Sequence, residues 1–278
     1  MPKNPSSSKP GRTGRSTRAV LQRALVGLGC GLAALPAAAQ AAPAELPPPQ
    51  LEVGIGLTST PGWLGDNRQV VHGTAWVNAE YTTQYYGRFQ VNGGSLTTDP
   101  SVNWDPWVKG IASFGFMMGY HGNSAMGEGH SPQIPGTAQG LDVGVQAVVS
   151  IFGAPLFIQA RKALPAEQGW ITVVGSYLPI HPTKELTVAF LPTARWYDKQ
   201  QSQLCFNGPA PQDGSAPYGA ESGFQDVSLE VVVDWQFTQH FHWVSTASER
   251  WLTGSAAKTP WTRSIDQTGY FSGVSYHF

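Results

Sequence analysis

The chain has 278 residues, of which 13% are charged and 11% are aromatic, and it contains ten Trp and 32 Gly. Soluble domains usually carry about 25% charged residues. After residue 41, no uninterrupted apolar run reaches the roughly 18 residues from which a membrane-spanning helix is read. The composition therefore argues against a soluble enzyme and against a helical membrane protein.

A secretory signal peptide is predicted over residues 1–41. Six basic residues and no acidic residue occur within 1–23, an apolar run follows, and Ala39-Gln40-Ala41 supplies the small residues of a cleavage site. The apolar run is too short to cross a bilayer as a helix. Cys30 leaves a lipoprotein as an alternative.

Cleavage after Ala41 leaves 237 residues with 11 Lys and Arg against 18 Asp and Glu, a formal charge of −7. Because nucleic-acid-binding surfaces are basic, no nucleic-acid partner is expected. Cys205 is then the one remaining cysteine, so it is either a free thiol or an intermolecular one. Residues 42–49 are rich in Pro and are predicted to form an extended periplasmic leader.

Apolar and polar residues alternate along much of 50–278, which predicts β-strands rather than helices. The clearest run is 226–237, in which every second residue is apolar. The run 141–151 alternates in the same way. Weaker alternation occurs at 51–57, 112–120, 170–178, 186–196 and 241–247.

The length of these runs favours a membrane barrel over a soluble β-sandwich, whose half-buried strands also alternate. Several runs reach 11–14 residues, whereas globular strands usually have about 5–6 and a membrane crossing needs about 9–11. Aromatic residues gather at the run ends, as at Trp235 and Phe237 or Tyr85 and Tyr86, which is typical of interfacial girdles. The predicted fold is an all-β, antiparallel, up-and-down transmembrane barrel in the outer membrane of a Gram-negative bacterium.

Long and short connections alternate along the chain, as they do when outer loops are long and periplasmic turns are short. The segment 199–224 is predicted to be such an outer loop, irregular and mobile. The other long connections are 121–140 and 253–269, and the short ones are 152–155, 180–185 and 238–240.

The same rhythm predicts the strand count. Residues 50 and 104 should both lie on the periplasmic side, so an even number of crossings separates them. Three are visible, at 50–60, 69–83 and 85–94, and a short return strand within 95–104 supplies the fourth. Eight more follow, which gives twelve strands, with ten as the alternative.

Seven polar residues are predicted to face the barrel interior. In a narrow barrel such residues pair across the lumen and fill it, and a selective pore lining is the alternative. Twelve strands leave little room, so we favour a filled lumen. On the 226–237 strand, Val231 and Val233 should face lipid and Val232 the lumen. The seven residues are Asp142, Gln159, Arg161, Arg195, Glu230, Asp234 and Arg250.

The chain ends within an aromatic strand, whose Tyr270, Val274, Tyr276 and Phe278 share one face. This pattern resembles the terminal signal that the outer-membrane assembly machinery reads. That machinery and outer-membrane lipid, including lipopolysaccharide, are therefore expected partners.

The histidines do not form a recognisable catalytic or metal-binding motif. His240 and His242 would share a strand face, but no third ligand is near in sequence, and they are equally explained by a turn after 238. His121 and His130 flank a Ser-rich loop with Glu128, an arrangement that many loops permit. Since nucleophile-elbow and phosphate-binding motifs are also missing, no catalytic residue, cofactor or metal is predicted.

Four stretches carry a family resemblance: Phe224–Trp243, Arg250–Gly254, Lys258–Pro260 and Tyr270–Phe278. Together they resemble the C-terminal third of the MipA/OmpV family, the outer-membrane MltA-interacting proteins. The resemblance covers most of 50–278 and is specific in about the last sixty residues. Glu249 stands where the family often has an aromatic residue, and Thr259 where it often has Ser.

The resemblance implies a non-enzymatic scaffold that links a membrane-bound lytic transglycosylase with a bifunctional murein synthase. No site residue follows from it, since no family motif is catalytic. Two alternatives stay open at this point. One is a small-solute pore, and the other is a lipid-modifying enzyme with a His and a nucleophile near the outer leaflet.

Overall fold

The computed structural model describes residues 46–62, 64–121, 140–152, 154–164, 169–207 and 218–278. The predicted signal peptide and the first part of the leader lie outside these residues. Thirteen strands are present in the described part of the chain. They are β1 (Gln50–Pro61), β2 (Gln69–Thr83), β3 (Gly87–Asn92), β4 (Ser101–Lys109), β5 (Ala112–His121), β6 (Gly140–Ile151), β7 (Ala154–Ala163), β8 (Trp170–Ser176), β9 (Leu178–Ile180), β10 (Leu186–Tyr197), β11 (Gly223–Gln236), β12 (Phe241–Leu252) and β13 (Asp266–His277).

The strands close into one antiparallel barrel. Consecutive strands pair along the chain, except that β8 and β9 do not pair with each other, and β1 pairs with β13, which closes the ring. β8 and β9 both pair with β10, at Thr193–Tyr197 and Val188–Phe190 respectively, so the short β9 continues the wall position of β8. The predicted twelve-strand barrel is therefore confirmed, with one extra strand.

The two ends of the barrel differ in their connections. At the turn end lie the start of β1, the end of β13 and the short connections 84–86, 110–111, 152–153, 181–185 and 237–240. The opposite, loop end carries longer connections, including 198–222 and 253–265.

The wall is polar inside and apolar outside, the reverse of a soluble domain. Along β11, Asp226, Ser228 and Glu230 are buried, whereas Val227 and Leu229 between them are exposed. Such alternation is what lipid on one side and a polar lumen on the other require. Among the residues described, no helix is both long and apolar enough to span a membrane.

The prediction that the fourth strand lies within 95–104 is wrong. The fourth strand is β4, residue 104 lies in the middle of it, and the turn that follows is at 110–111. The register of β4 against β5 shifts between Trp104 and Trp107, around Pro106. Proline lacks the N–H that a ladder uses, so it is accommodated at a bulge, and a bulge breaks the alternation on which the prediction relied.

The connection after β10 begins with a helix, so the expectation of an irregular loop is wrong for that part. Helix α1 (Lys199–Phe206) starts at Asp198, whose Oδ1 accepts a hydrogen bond from Gln201 N at 2.8 Å. A second helix, α2 (Gly254–Lys258), follows β12. Residues 208–217 of this connection lie outside the described part.

An apolar cluster joins these helices to the barrel at the loop end. Phe206 of α1 and Ala256 of α2 are buried against Tyr197, Leu252 and Ile171 from the wall. Eight helical residues without a repeating apolar face give no periodic signal, which explains why the sequence pattern did not reveal α1.

Candidate functional site

A segment that is neither strand nor helix lies between β3 and β4, and we call residues 93–100 the inner segment. It forms a compact turn in which Ser95 N donates to the Thr98 carbonyl oxygen at 2.9 Å. Gly94 has φ +81°, and a Cβ there would lie 2.9 Å from Pro100 N. Glycine is therefore needed for the chain to fold back on itself at this point.

Glu230 of β11 holds the inner segment. Its Oε2 atom accepts hydrogen bonds from Ser95 Oγ at 2.8 Å, from Thr97 N at 3.0 Å and from Thr97 Oγ1 at 2.6 Å. Thr97 is buried, so these bonds form away from water. Three hydrogen bonds converge on this one oxygen atom, which makes Glu230 the anchor of the inner segment.

Three arginines reach the inner segment from other strands. Nη2 of Arg195 donates to the Thr97 carbonyl oxygen at 3.0 Å, and Nη2 of Arg250 donates to the Leu96 carbonyl oxygen at 3.3 Å. Nη2 of Arg161 contacts Asp99 Oδ2 at 2.8 Å. The inner segment therefore crosses the lumen, from the β3–β4 wall to β7 and β10–β12.

Aspartates on the wall neutralise two of these arginines. Arg161 Nη1 lies 3.3 Å from Asp142 Oδ2, and Arg250 Nε lies 3.8 Å from Asp226 Oδ1. All four side chains are at most 3% exposed. Losing one partner of a buried pair leaves an uncompensated charge and costs about 3–5 kcal/mol, so the charges around the inner segment depend on each other.

The five predicted lumen residues named so far thus meet at one place, which the sequence did not indicate. The other two lie elsewhere. Gln159 is half-buried and sits opposite Gln146 in the β6–β7 register. Asp234 lies nearer the turn end, where its Oδ1 is 2.7 Å from His242 Nδ1.

A further buried ion pair was missed by the sequence prediction. Arg88 Nη2 lies 2.6 Å from Asp105 Oδ2, and Gln146 Nε2 donates to Asp105 Oδ1 at 2.8 Å. Arg88 and Asp105 belong to the 84–110 region, where the bulge of β4 interrupts the alternation. The pattern that could have predicted this pair is the i, i+2 spacing of polar residues, which puts Arg88 and Gln90 of β3 on one face and Asn103 and Asp105 of β4 on one face.

A polar cluster lies at the turn end of the lumen. Glu52 accepts hydrogen bonds from Trp76 Nε1 and Asn78 Nδ2, both at 3.0 Å, and its Oε1 lies 3.7 Å from His277 Nε2. The rings of His242 and His277 stack with centroids 3.8 Å apart. Two carboxylates and two imidazoles therefore line this mouth of the barrel.

Between the polar cluster and the inner segment lies a cavity of about 460 Å³. Its wall combines acidic and aromatic side chains with small polar ones. The residues that matter below are Glu52, Trp76, Tyr177, Glu230, Asp234 and Phe271.

The histidines that the sequence singled out do not share a site. His240 lies in the turn before β12, and its Nδ1 contacts the His277 carbonyl oxygen at 2.8 Å, while His242 lies in the strand. Glu128 and His130 fall outside the described residues, as does the side chain of His121. Within the described part of the chain, no group of three or more His, Cys, Asp or Glu could hold a metal ion.

The last strand turns aromatic side chains outward. Tyr270, Val274 and Phe278 are exposed, and Tyr276 packs edge-on against Phe278 with ring centroids 4.8 Å apart. Phe278 N donates to the Leu51 carbonyl oxygen at 3.0 Å, so the final residue is tied to β1.

Comparison with models of protein families shows to which family this barrel belongs. The family model for the MltA-interacting protein MipA matches residues 53–278. The chain belongs to the MltA-interacting protein MipA family. The resemblance, which covers most of 50–278 and is specific in about the last sixty residues, is thereby confirmed. With its closed wall and apolar exterior, this MipA-family chain is an outer-membrane β-barrel protein.

The solved structures to which the chain is similar include outer-membrane proteins of low sequence identity. The NanC porin is 11% identical, with 81% of this chain and 98% of that chain covered and a TM-score of 0.45. OmpT of Vibrio cholerae is 8% identical, with 83% and 98% covered and a TM-score of 0.37. The translocator domain of the autotransporter NalP from Neisseria meningitidis is 10% identical, with 84% and 89% covered and a TM-score of 0.36. No curated protein matches the chain.

Proposed function

We propose that this protein is a non-enzymatic, non-conducting scaffold of the outer membrane that binds murein-processing enzymes at its turn end. The observation that carries the proposal is the inner segment, which crosses the lumen and is bound there by Glu230, Arg161, Arg195 and Arg250. A chain segment held across the bore by buried contacts leaves less room for a solute to pass, which favours a scaffold over a pore.

The charge balance of the lumen supports a filled interior. In a selective pore, charged side chains face water and the passing solute. Here Arg161, Arg250, Asp142 and Asp226 are at most 3% exposed and satisfy one another. Their role is therefore to hold the inner segment and the wall together.

The partner follows from the family. Its description names an interaction with MltA, and the resemblance implies a lytic transglycosylase bridged to a bifunctional murein synthase. Both kinds of enzyme work in the periplasm. We place the contact at the turn end, which the loop-length rule assigns to the periplasm.

Lipid and the assembly machinery complete the proposed partners. Exposed apolar residues such as Ile55, Leu57, Val227 and Leu229 form an exterior suited to lipid and lipopolysaccharide acyl chains. The outward face of β13, with Tyr270, Val274, Tyr276 and Phe278, is the proposed assembly signal.

Enzymatic activity receives no comparable support. A lipid-modifying enzyme of the outer leaflet needs its His and nucleophile near the loop end. His242 and His277, which interact with carboxylates, lie at the turn end instead.

Tag insertion tests the scaffold. The β9–β10 connection consists of five consecutive exposed residues, 181–185, at the turn end, and Gly219 is exposed at the loop end. A bulky peptide tag after Pro182 and the same tag after Gly219 form a matched pair. Binding of each purified, full-length barrel to a MltA-type transglycosylase and to a bifunctional murein synthase is then measured on a sensor surface.

We expect the untagged barrel and the loop-end insertion to bind alike and the turn-end insertion to bind at least about tenfold more weakly, a loss of about 1.4 kcal/mol. If the untagged barrel bound neither enzyme, the scaffold role would be wrong. A loss confined to the loop-end insertion would place the contact at the other end of the barrel.

A further inference from the structure

The cavity on the turn-end side of the inner segment is acidic. Four carboxylate residues line it, Glu52, Asp99, Glu230 and Asp234, and none of its lining residues is Lys or Arg. Asp99 is paired with Arg161, which lies behind the inner segment. Among the residues that the structure describes, Glu52, Glu230 and Asp234 therefore face the cavity without a salt bridge to Lys or Arg.

Solvent reaches this cavity from the turn end. The side chain of Asp234 is 34% exposed and that of Glu52 is 18% exposed, whereas Arg161 and Arg250 beyond the inner segment are each 3% exposed. The cavity is thus open towards one end of the barrel and closed by the inner segment at the other.

Glu230 marks the closed end of the cavity. Its Oε2 accepts the three hydrogen bonds that hold the inner segment, but its Oε1 is buried and has no hydrogen-bond partner. A buried carboxylate oxygen without a donor is costly, because the water that it loses is not replaced. A ligand that brings an N–H donor would satisfy it.

Aromatic rings supply the rest of the wall. Trp76 and Phe271 meet edge to face with ring centroids 5.0 Å apart, and Tyr177 lines the cavity as well. Ammonium and guanidinium groups are attracted to aromatic faces, and an apolar ligand body packs against them. A volume of about 460 Å³ lies within the usual range of small-molecule pockets.

We infer that the lumen is a binding pocket for a small organic cation, an amine or guanidine with an apolar body, which enters from the turn end. The cationic group lies at Glu230, whose Oε1 has no hydrogen-bond donor, and the body lies against Trp76 and Phe271, while Asp234 adds negative charge further along the same face of β11. This inference concerns the lumen alone and is independent of the murein enzymes proposed above.

Calorimetric titration of the purified, detergent-folded barrel tests the pocket with three probes of one shape. Benzylamine carries a positive charge at pH 7, benzyl alcohol is neutral and benzoate is negative. Charge-assisted hydrogen bonds exceed neutral ones, so benzylamine should bind at least about tenfold more tightly than benzyl alcohol, and benzoate should not bind.

Substitutions of the cavity carboxylates test whether they are the groups that bind benzylamine. Glu230→Gln, which removes the carboxylate that the ammonium contacts, should weaken benzylamine at least about tenfold, and Asp234→Asn, which removes only a more distant charge, should weaken it by a smaller factor. The matched control is Glu80→Gln, which alters a carboxylate that is bonded to Gln90 Nε2 at 2.8 Å and does not line the cavity. The control should bind as the native chain does. Asp234 does not contact the inner segment, so its variant serves even where Glu230→Gln fails to fold.

Equal binding of benzylamine and benzyl alcohol would overturn the inference, because the pocket would then select only an apolar body. So would the absence of any binding to the folded native barrel, or an effect of Glu80→Gln as large as that of Asp234→Asn. None of these results bears on whether the turn end binds a murein enzyme.

Discussion

The two halves of the lumen are built on the same alternating strands yet differ in charge. Towards the loop end, Arg161, Arg195 and Arg250 meet aspartates and the carbonyl groups of the inner segment. Towards the turn end, Glu52 and Asp234 have only histidines and neutral donors beside them. The first half is closed and the second contains a cavity. In this barrel the two halves are distinguished by the inner segment and the buried side chains that hold it, not by strand alternation, which both halves share.

The largest effect is expected when a charged residue is placed on the lipid-facing side of the wall instead of its lumen-facing side. Val232 lines the cavity next to Glu230, whereas Val231 and Val233 belong to the opposite face of β11. An Arg facing lipid at the bilayer midplane costs about 2–4 kcal/mol, so Val231→Arg combined with Val233→Arg should block assembly.

Val232→Arg is the matched control, since a new guanidinium there lies between two acidic residues. It should assemble almost as the native chain does, and the measurement is the heat-modifiable fraction in outer membranes. Greater damage from Val232→Arg would mean that the register of β11 is shifted by one residue, which reverses every inward and outward assignment on it.

A smaller loss of stability is expected when one arginine is removed from the half of the lumen towards the loop end. Arg161→Met leaves Asp99 and Asp142 buried without their guanidinium, which should lower the free energy of unfolding by about 3–5 kcal/mol. The neighbouring Lys162→Met, on the outward face, should change it by about 0–1 kcal/mol. Denaturant unfolding of the detergent-folded protein measures both, and equal effects would show that the lumen pairs do not hold the inner segment.

Most of the barrel wall could be predicted from the sequence, but few of the contacts inside the lumen could. The alternation of β6 and β11, the aromatic ends and the long and short connections were sufficient for a twelve-strand barrel, because lipid enforces them on every strand. Arg161, Glu230 and Arg250 could be assigned to the interior by parity. Their convergence on the inner segment could not, since it depends on contacts between residues up to 154 positions apart.

Local features explain the parts that were wrong. Pro106 and its bulge interrupt the alternation of β4, so the pattern predicts a strand within 95–104, where the structure has most of the inner segment. Asp198 caps a helix that is too short to show a period, so the pattern predicts a loop where the structure has α1. Both errors fall where backbone hydrogen bonding departs from the regular ladder, which an alternation pattern cannot register.

Cys205 lies in α1 at the loop end, and its reactivity offers a chemical test with no expected effect on assembly. Burial raises the pKa of the Cys205 thiol to about 12, against which the Gln201 hydrogen bond and the nearby Arg195 charge act in the lowering direction. Since the thiolate is the reactive form, a raised pKa means slow alkylation at neutral pH and a rate that rises as the pH approaches 12.

At pH 8 the folded mature protein should react with iodoacetamide at least about a hundredfold more slowly than the unfolded chain, whose thiol has an ordinary pKa of about 8.5. Labelling followed by mass spectrometry measures the rate. Equal rates in the folded and unfolded protein would show that α1 does not bury the thiol.

The central claim is that the inner segment closes the lumen, and single-channel recording in planar lipid bilayers tests it most directly. The full-length, heat-modifiable barrel is inserted beside a known porin that serves as the positive control. The account predicts no discrete conductance steps from this protein while the porin gives them. Reproducible steps of constant size from the native chain would contradict it, because ions would then pass where Glu230 and the three arginines hold the inner segment across the bore.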